Sequence, residues 1–254
     1  MWELYDELIA GIPQELHVKR AISGCFWTAV ESELGVGVAG TAKVMTRPPL
    51  QRVPLTGLPL KEAAKLAKSW NFVEASLGVA AINAYYNTPE IARENGVLFD
   101  QGDDRLNDPY IAYRKYARDK KVACIGSHST MVDSMLKDVA EVSMLGEDMG
   151  EFPLQAADYL LPQQDLVYLP CYAEITKELP RYLALCKNAV AVICGPSVSM
   201  TPLLFAYGAF DMAGLVVTDA DMAFESVCST AVKKMFAAGK KAALRRESIE
   251  NLTA

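Results

Sequence analysis

Three hydroxyls fall within one short loop of the sequence: Ser197, Ser199 and Thr201, in the stretch Val190-Ala-Val-Ile-Cys194-Gly195-Pro196-Ser-Val-Ser-Met-Thr-Pro202. Val190 to Cys194 is short, apolar and β-branched, which reads as a strand buried on both faces. Gly195-Pro196 stops it. Pro202 suits the first turn of a helix, where the missing N–H costs nothing. Strand, Gly-Pro-Ser loop and helix place the hydroxyls at the carboxyl end of a sheet strand, where open α/β sheets bind ligands. Hydroxyls there hold an anionic group. They serve equally well as caps for the next helix, and the stretch alone supports both readings.

Other residues offer complementary chemistry. Gly126-Ser127-His128-Ser-Thr130 also follows an apolar run and leads into a helix. Its N–H groups and hydroxyls suit a phosphate or carboxylate. His128 suits an anion, a metal or acid/base work near neutral pH; the alternative is a loop histidine bonding its own backbone. Glu147-Asp148 comes about 20 residues after Gly126, where nucleotide-binding sheets carry a ribose-binding acid. Glu174 lies just past a third strand and is a second acid/base candidate. Thr46 and Arg47 suit an anion, although an exposed arginine is usually only solvated. Asp219 and Asp221 read as caps of a last helix. Ser76, Asn83 and Asn87 fall at i, i+7 and i+11 of an otherwise apolar helix, roughly on one face. A buried amide left unpaired costs about 1–3 kcal/mol. Asn83 therefore requires backbone, a side chain, water or a ligand.

These residues need elements to hold them. The helix carrying Asn83 runs from Asn71 to Asn87, with Asn71 and Glu74 in the spacing of a capping box, and its apolar circumference predicts burial. Trp2 to Ala10 and Leu60 to Lys68 predict short helices, and His17 to Ser32 predicts strands. Thr88-Pro89 to Gly96 predicts a capped helix. Gly35-Val-Gly37-Val-Ala-Gly40 matches G-x-G-x-x-G, but Pro48-Pro49 forbids the helix that a dinucleotide grip requires. A glycine-rich hairpin strand is the better reading. Asp108-Pro109 opens a helix to about Arg118. From Lys121 the chain alternates. Strands are expected at 121–126, 139–145, 165–170, 189–195 and 214–219. Helices are expected near 129–137, 156–161, 176–187 and 202–208. An amphipathic helix from Asp221 carries Phe224, Val227, Met235 and Phe236 on one face, and the basic tail Lys240 to Arg246 reads as solvated helix or fraying terminus. This predicts a parallel, doubly wound sheet.

The 254 residues suffice for one large or two ordinary domains. A net charge of -6 argues against nucleic acid or an anionic membrane as partner, and no apolar run is long enough to span a bilayer. Six cysteines without a C-x-x-C pair suit a reduced cytoplasm rather than a disulfide framework. Only His17 and His128 supply imidazole, and no close-spaced zinc set exists.

Four segments together resemble a known family: Ser69-Trp-Asn-Phe-Val-Glu74-Ala-Ser76 through Asn83-Ala84, Arg105-Leu-Asn107-Asp108-Pro109, Lys121 to Gly126, and Cys194-Gly195-Pro196 through Pro202-Leu-Leu-Phe. They are similar to the heavy-metal chelation family, catalogued as domain of unknown function 364 with its own N-terminal partner domain. The resemblance implies an α+β domain like the amino-terminal domain of enolase over 1–107, then a Rossmann-like parallel-sheet domain over 108–254. It implies one active site at their junction. The implied role is condensation or hydrolysis of flavin-, pterin- or siderophore-like compounds, or metal chelation. Carried over by position, that site joins Ser76 and Asn83 to the Gly126 loop and the Gly195–Thr201 loop.

The expectation is a cytoplasmic protein that binds a small polar ligand, with any metal ion carried by a small-molecule chelator. Ser197, Ser199 and Thr201 hold its anionic group, Asn83 orients it, and His128 or Glu174 moves the proton. A non-catalytic carrier of metal-loaded small molecules, or a methyltransferase-like enzyme with a nucleoside cofactor, are the alternatives. A homo-oligomer is left open.

Overall fold

A computed structural model describes residues 2–42, 47–49, 53–100, 102, 104–126, 132, 134–146 and 151–252. The N-terminal part opens with helix α1 (Glu3–Ala10) and three antiparallel strands, β1 (Arg20–Ser23), β2 (Trp27–Glu31) and β3 (Val36–Gly40), in the order β1-β2-β3. Helices α2 (Leu60–Ala64), α3 (Phe72–Tyr86) and α4 (Pro89–Glu94) follow.

Helix α3 is the beam of this part. Asn71 Oδ1 accepts from the N–H groups of Val73 and Glu74, the expected cap. The reciprocal half of the box runs through Ser69, whose hydroxyl donates to Glu74 Oε2 at 2.6 Å and accepts from Asn71 N. Gly37 lets β3 lie directly on α3: a Cβ there would stand 2.0 Å from Ala84 N and 2.2 Å from Ala80 O. Neither backbone atom can move alone, so Gly37→Ala is expected to cost about 3 kcal/mol by overpacking. A thermal melt checks this, and a shift below a degree or two sinks it.

After α5 (Pro109–Ala112) come β4 (Lys121–Ile125), β5 (Glu141–Leu145), α6 (Ala157–Leu160), β6 (Leu166–Pro170), α7 (Tyr172–Thr176), α8 (Leu179–Leu185), β7 (Val190–Cys194), α9 (Leu203–Ala206), β8 (Asp211–Val217), α10 (Ala220–Val227) and β9 (Gly239–Arg245). The sheet order is β5-β4-β6-β7-β8-β9. The first five strands are parallel, and β9 pairs antiparallel with β8. Numbered within this sheet the parallel order is 2-1-3-4-5, a doubly wound arrangement whose order reverses between β4 and β6.

Alternate residues of β6 face opposite layers. Leu166 and Tyr168 join Tyr113, Cys124 and Val192, while Val167 and Leu169 join a core reaching Leu4, Leu8, Val79 and Ile82. That second core runs through both sheets without a break. The β1–β2 hairpin docks on α10: the Arg20 guanidinium stacks on Phe224 and pairs with Asp221, and Trp27 Nε1 donates to Val232 O.

Some expected elements differ. The basic tail is strand β9, not helix or frayed end: Ala242, Ala243 and Leu244 are buried while Lys240 is exposed, and its outer edge is covered by Leu98, bridged to Ala243, and by Asn107, which donates to Lys241 O. The single helix expected through Phe236 stops at Val227 and resumes as a 3-10 turn at Val232–Ala238. The helix expected over 176–187 breaks at Lys177, whose φ is 68°. Helix α5 ends at Ala112, well short of Arg118. Asp219 caps α10 by accepting from Met222 N, and Asp221 pairs with Arg20 instead of capping. Among the described residues no helix is long and apolar enough to cross a membrane.

Candidate functional site

Asn83 of α3 and the 197–201 loop after β7 meet where the two sheets join. Asn83 Nδ2 donates to Val38 O (3.0 Å) and Ser197 O (2.9 Å). Both amide protons are committed, so Oδ1 must accept, and its partner is Ser199 Oγ at 2.9 Å. One turn on, Asn87 Nδ2 donates to Val198 O and Asn87 Oδ1 accepts from Met200 N. Two amides at i and i+4 thus grip the loop as a neighbouring strand would. Ser197 Oγ accepts from Gly40 N at 2.8 Å, tying the end of β3 to the same loop. Thr201 is buried, and its Oγ1 accepts from Leu203 N. Ser76 Oγ accepts from Ala42 N and donates to Phe72 O.

Glu174 of α7 closes this network. Its Oε1 is 2.7 Å from Ser199 Oγ, and its Oε2 accepts from Ser199 N. The Ser199 hydroxyl has one proton and two acceptors within reach. The arrangement is satisfied when Glu174 is neutral: it donates to Ser199 Oγ, which donates to Asn83 Oδ1. Burial supplies the cause, pushing the carboxyl up to about 7, while the Ser199 hydrogen bonds pull it down. Tyr5 OH donates to the Glu174 carbonyl at 2.7 Å. Ser197, Ser199, Asn83 and Glu174 are therefore brought together and bonded from within the protein.

The outward ledge is made by their neighbours. Gly126, Pro170, Cys171, Gly195 and Gly40 are all half-buried, at the carboxyl ends of β4, β6, β7 and β3. Gly126 has φ 91°, and a Cβ there would sit 3.6 Å from Pro170 Cβ. Gly195 has φ 124°, and its missing Cβ leaves room for Cys171 Sγ, which would otherwise be 2.4 Å away. Both positions demand glycine. Pro196 is buried beneath. Tyr172, half-buried, stands across from Gly40. Burial raises the Cys171 thiol above its usual range, against a lowering hydrogen bond with Ser197. Arg47 is exposed, and its carbonyl accepts from Asn71 Nδ2. Thr46, Ser127, His128 and Glu147-Asp148 lie outside the described residues.

Sequence reasoning puts Cys171 and Tyr172 at the third strand end without giving them a role, and it missed Lys177. Lys177 Nζ donates to Ser69 O and Ile175 O and sits 4.9 Å from the Phe72 ring centroid. Burial pushes it down to about 8. It ties the end of α7 to the start of α3. A lysine in the left-handed region has no sequence signal, unlike glycine. Among the described residues no three of His, Cys, Asp and Glu form a metal-holding group.

Two family models match the chain. One, domain of unknown function 4213, covers residues 5–86 and the other, domain of unknown function 364, covers 108–245; both carry the description "Putative heavy-metal chelation". A crystal structure of a protein with unknown function from the second family, from Desulfitobacterium hafniense DCB-2, is similar with a TM-score of 0.88 at 38% identity, covering 97% of this chain and 99% of that one. Another from Pyrococcus horikoshii has a TM-score of 0.74 at 22% identity, covering 95% and 98%, a likeness of fold alone. An uncharacterized protein of Methanocaldococcus jannaschii is 28% identical over 177 residues, which is 65% of this chain and 62% of that protein's length.

Proposed function

The chain belongs to the heavy-metal chelation family, and from that membership we propose that it is a cytoplasmic protein binding a small polar ligand, flavin-, pterin- or siderophore-like, that can carry a metal ion. The ligand lies on the ledge where the two domains, 1–107 and 108–254, meet. One observation carries this reading: the strand order reverses between β4 and β6, and doubly wound sheets bind ligands outside the carboxyl ends at that point. Gly126 and Pro170 flank it, and β3 of the first domain ends against the loop after the next strand, β7, through the Gly40–Ser197 bond.

The roles divide by exposure. Gly126, Cys171, Tyr172 and Gly195 face the ligand. Asn83, Ser197, Ser199 and Glu174 hold the ledge in place from beneath, with Ser76 and Thr201 as further anchors. The side chains at the ledge are one thiol and one phenol, since the N–H groups of Gly40, Gly126, Cys171 and Gly195 donate within the protein. Such a set suits gripping an organic chelator and leaving the metal to the chelator's own oxygens. Condensation or hydrolysis of the ligand is the chemistry this seat would house.

Titration with a pterin, a flavin and a catechol chelator, each with and without Fe(III), tests the reading, with nucleosides and methyl donors as comparison. One of the first three classes is expected to raise Tm, and Tyr172→Phe, which keeps the ring packed against the core and removes only the hydroxyl, is expected to weaken that binding about tenfold at unchanged denaturant midpoint. Binding of a methyl donor alone, or of none of the panel, overturns it.

A further inference from the structure

Cys25 and Cys228 are exposed free thiols from opposite ends of the chain. Gly24 N donates to Trp27 O at 2.8 Å, which leaves Cys25 and Phe26 as the tip of the β1–β2 turn. Cys228 is the residue that ends α10. The two backbones touch beside them: a Cβ on Gly24 would lie 2.2 Å from Val227 O and 2.8 Å from Val227 Cγ1. Each cysteine is the next residue from that contact. The path from Gly24 Cα through Val227 O to Cys228 Cα spans at most about 6.5 Å, and the one Cα step of 3.8 Å from Gly24 to Cys25 keeps the two cysteine Cα atoms within about 10 Å of each other.

Contacts from both strands hold the hairpin in this position. Arg20 on β1 pairs with Asp221 and stacks on Phe224, and Trp27 on β2 donates to Val232 O. The remaining cysteines are elsewhere: Cys124, Cys186 and Cys194 are buried in the second half, and Cys171 lies at the ledge.

We propose that Cys25 and Cys228 form a bridging dithiolate site for one soft metal ion, separate from the ligand ledge. Two metal–sulfur bonds of about 2.3 Å each extend the reach of the side chains. A direct S–S bond needs Cα atoms within about 7 Å and closes only the short end of the same gap. Thiolates select soft ions. Among the described residues no third His, Cys, Asp or Glu joins a metal-holding group, so the site suits ions content with two ligands, Cu(I) above all. Binding releases two thiol protons and forms two Cu–S bonds in place of the ion's former ligands; no electrons change hands.

Competition for Cu(I) against a colorimetric Cu(I) chelator measures this directly. The native chain is expected to take one Cu(I). Cys25→Ser and Cys228→Ser are each expected to weaken binding at least 100-fold, and the double variant no further. Single variants within about threefold of the native chain, or one Cu(I) retained by the double variant, overturn the site. A fluorogenic reagent that lights only when two neighbouring thiols displace both its halides checks the geometry without metal. Signal from the native chain and none from either variant supports the pair, and a dark native chain overturns it. Both residues are exposed, so serine is expected to leave the fold intact. Failure here leaves the pterin, flavin and chelator titrations unaffected.

Discussion

Asn83→Ala is expected to lower the stability of the folded chain by about 3–5 kcal/mol, one of the largest effects of any single substitution outside the apolar core. The side chain serves three groups at once: Val38 O, Ser197 O and Ser199 Oγ. All lie where water does not reach, and a buried polar group that loses its partner costs about 1–3 kcal/mol. Alanine also leaves a void the size of the amide. Asn83→Asp separates the two causes, because it fills the space but removes both donors and brings a charge into a dry site. It is expected to be at least as damaging as alanine. Urea unfolding measures both. A shift in midpoint worth less than about 1 kcal/mol for Asn83→Ala would mean that the loop does not depend on the amide.

The second large effect concerns protons. A carboxyl held neutral by burial binds its proton more tightly in the folded chain than in the unfolded one, so it stabilises the fold at low pH. The contribution is complete below the ordinary 4.5 and is lost as pH rises through about 7. At about 1.4 kcal/mol per pH unit, Glu174 alone accounts for about 3 kcal/mol across that window. Glu174→Gln keeps the shape and supplies a permanent donor to Ser199 Oγ. At pH 5 the variant is expected to match the native chain; at pH 8 it is expected to be more stable by up to that amount. Asp211, raised to about 6 by burial against the pull of Arg245 and Tyr113, tilts the native profile the same way, but it is present in both proteins and cancels in the difference. The titratable neighbours Tyr5 and Cys171 are both pushed above their usual ranges by burial and hold their protons throughout. Parallel stability profiles from pH 5 to 8 would show that Glu174 is not the titrating group.

The sequence made some of this legible and hid the rest for physical reasons. Helix α3 could be read because its signals are local: an Asn71 cap, unbroken apolar residues, and Thr88-Pro89 to restart the chain. The parallel strands could be read because burial on both faces leaves continuous β-branched runs. Strand β9 could not, since an edge strand with lysines outward has the composition of a solvated tail. The need of Asn83 for partners was legible from residue type. Its partners were not, because Ser197 and Ser199 lie more than a hundred residues away and only tertiary pairing brings them near. The same distance hid Lys177, whose carbonyl partner Ser69 belongs to the other half of the chain. The approach of Cys25 to Cys228 was equally hidden, since it depends on Gly24 resting on Val227.

The unbroken core through both sheets has a consequence for how the chain is made. Synthesis runs from the N-terminus, so α3 and its asparagines leave the ribosome long before the 197–201 loop exists to receive them. Until β6 and β7 arrive, one flank of α3 carries bare apolar surface and unanswered amides. The first half must therefore wait, partly ordered, for the second to seal it, and that interval is when a nascent chain of this kind is most exposed to aggregation.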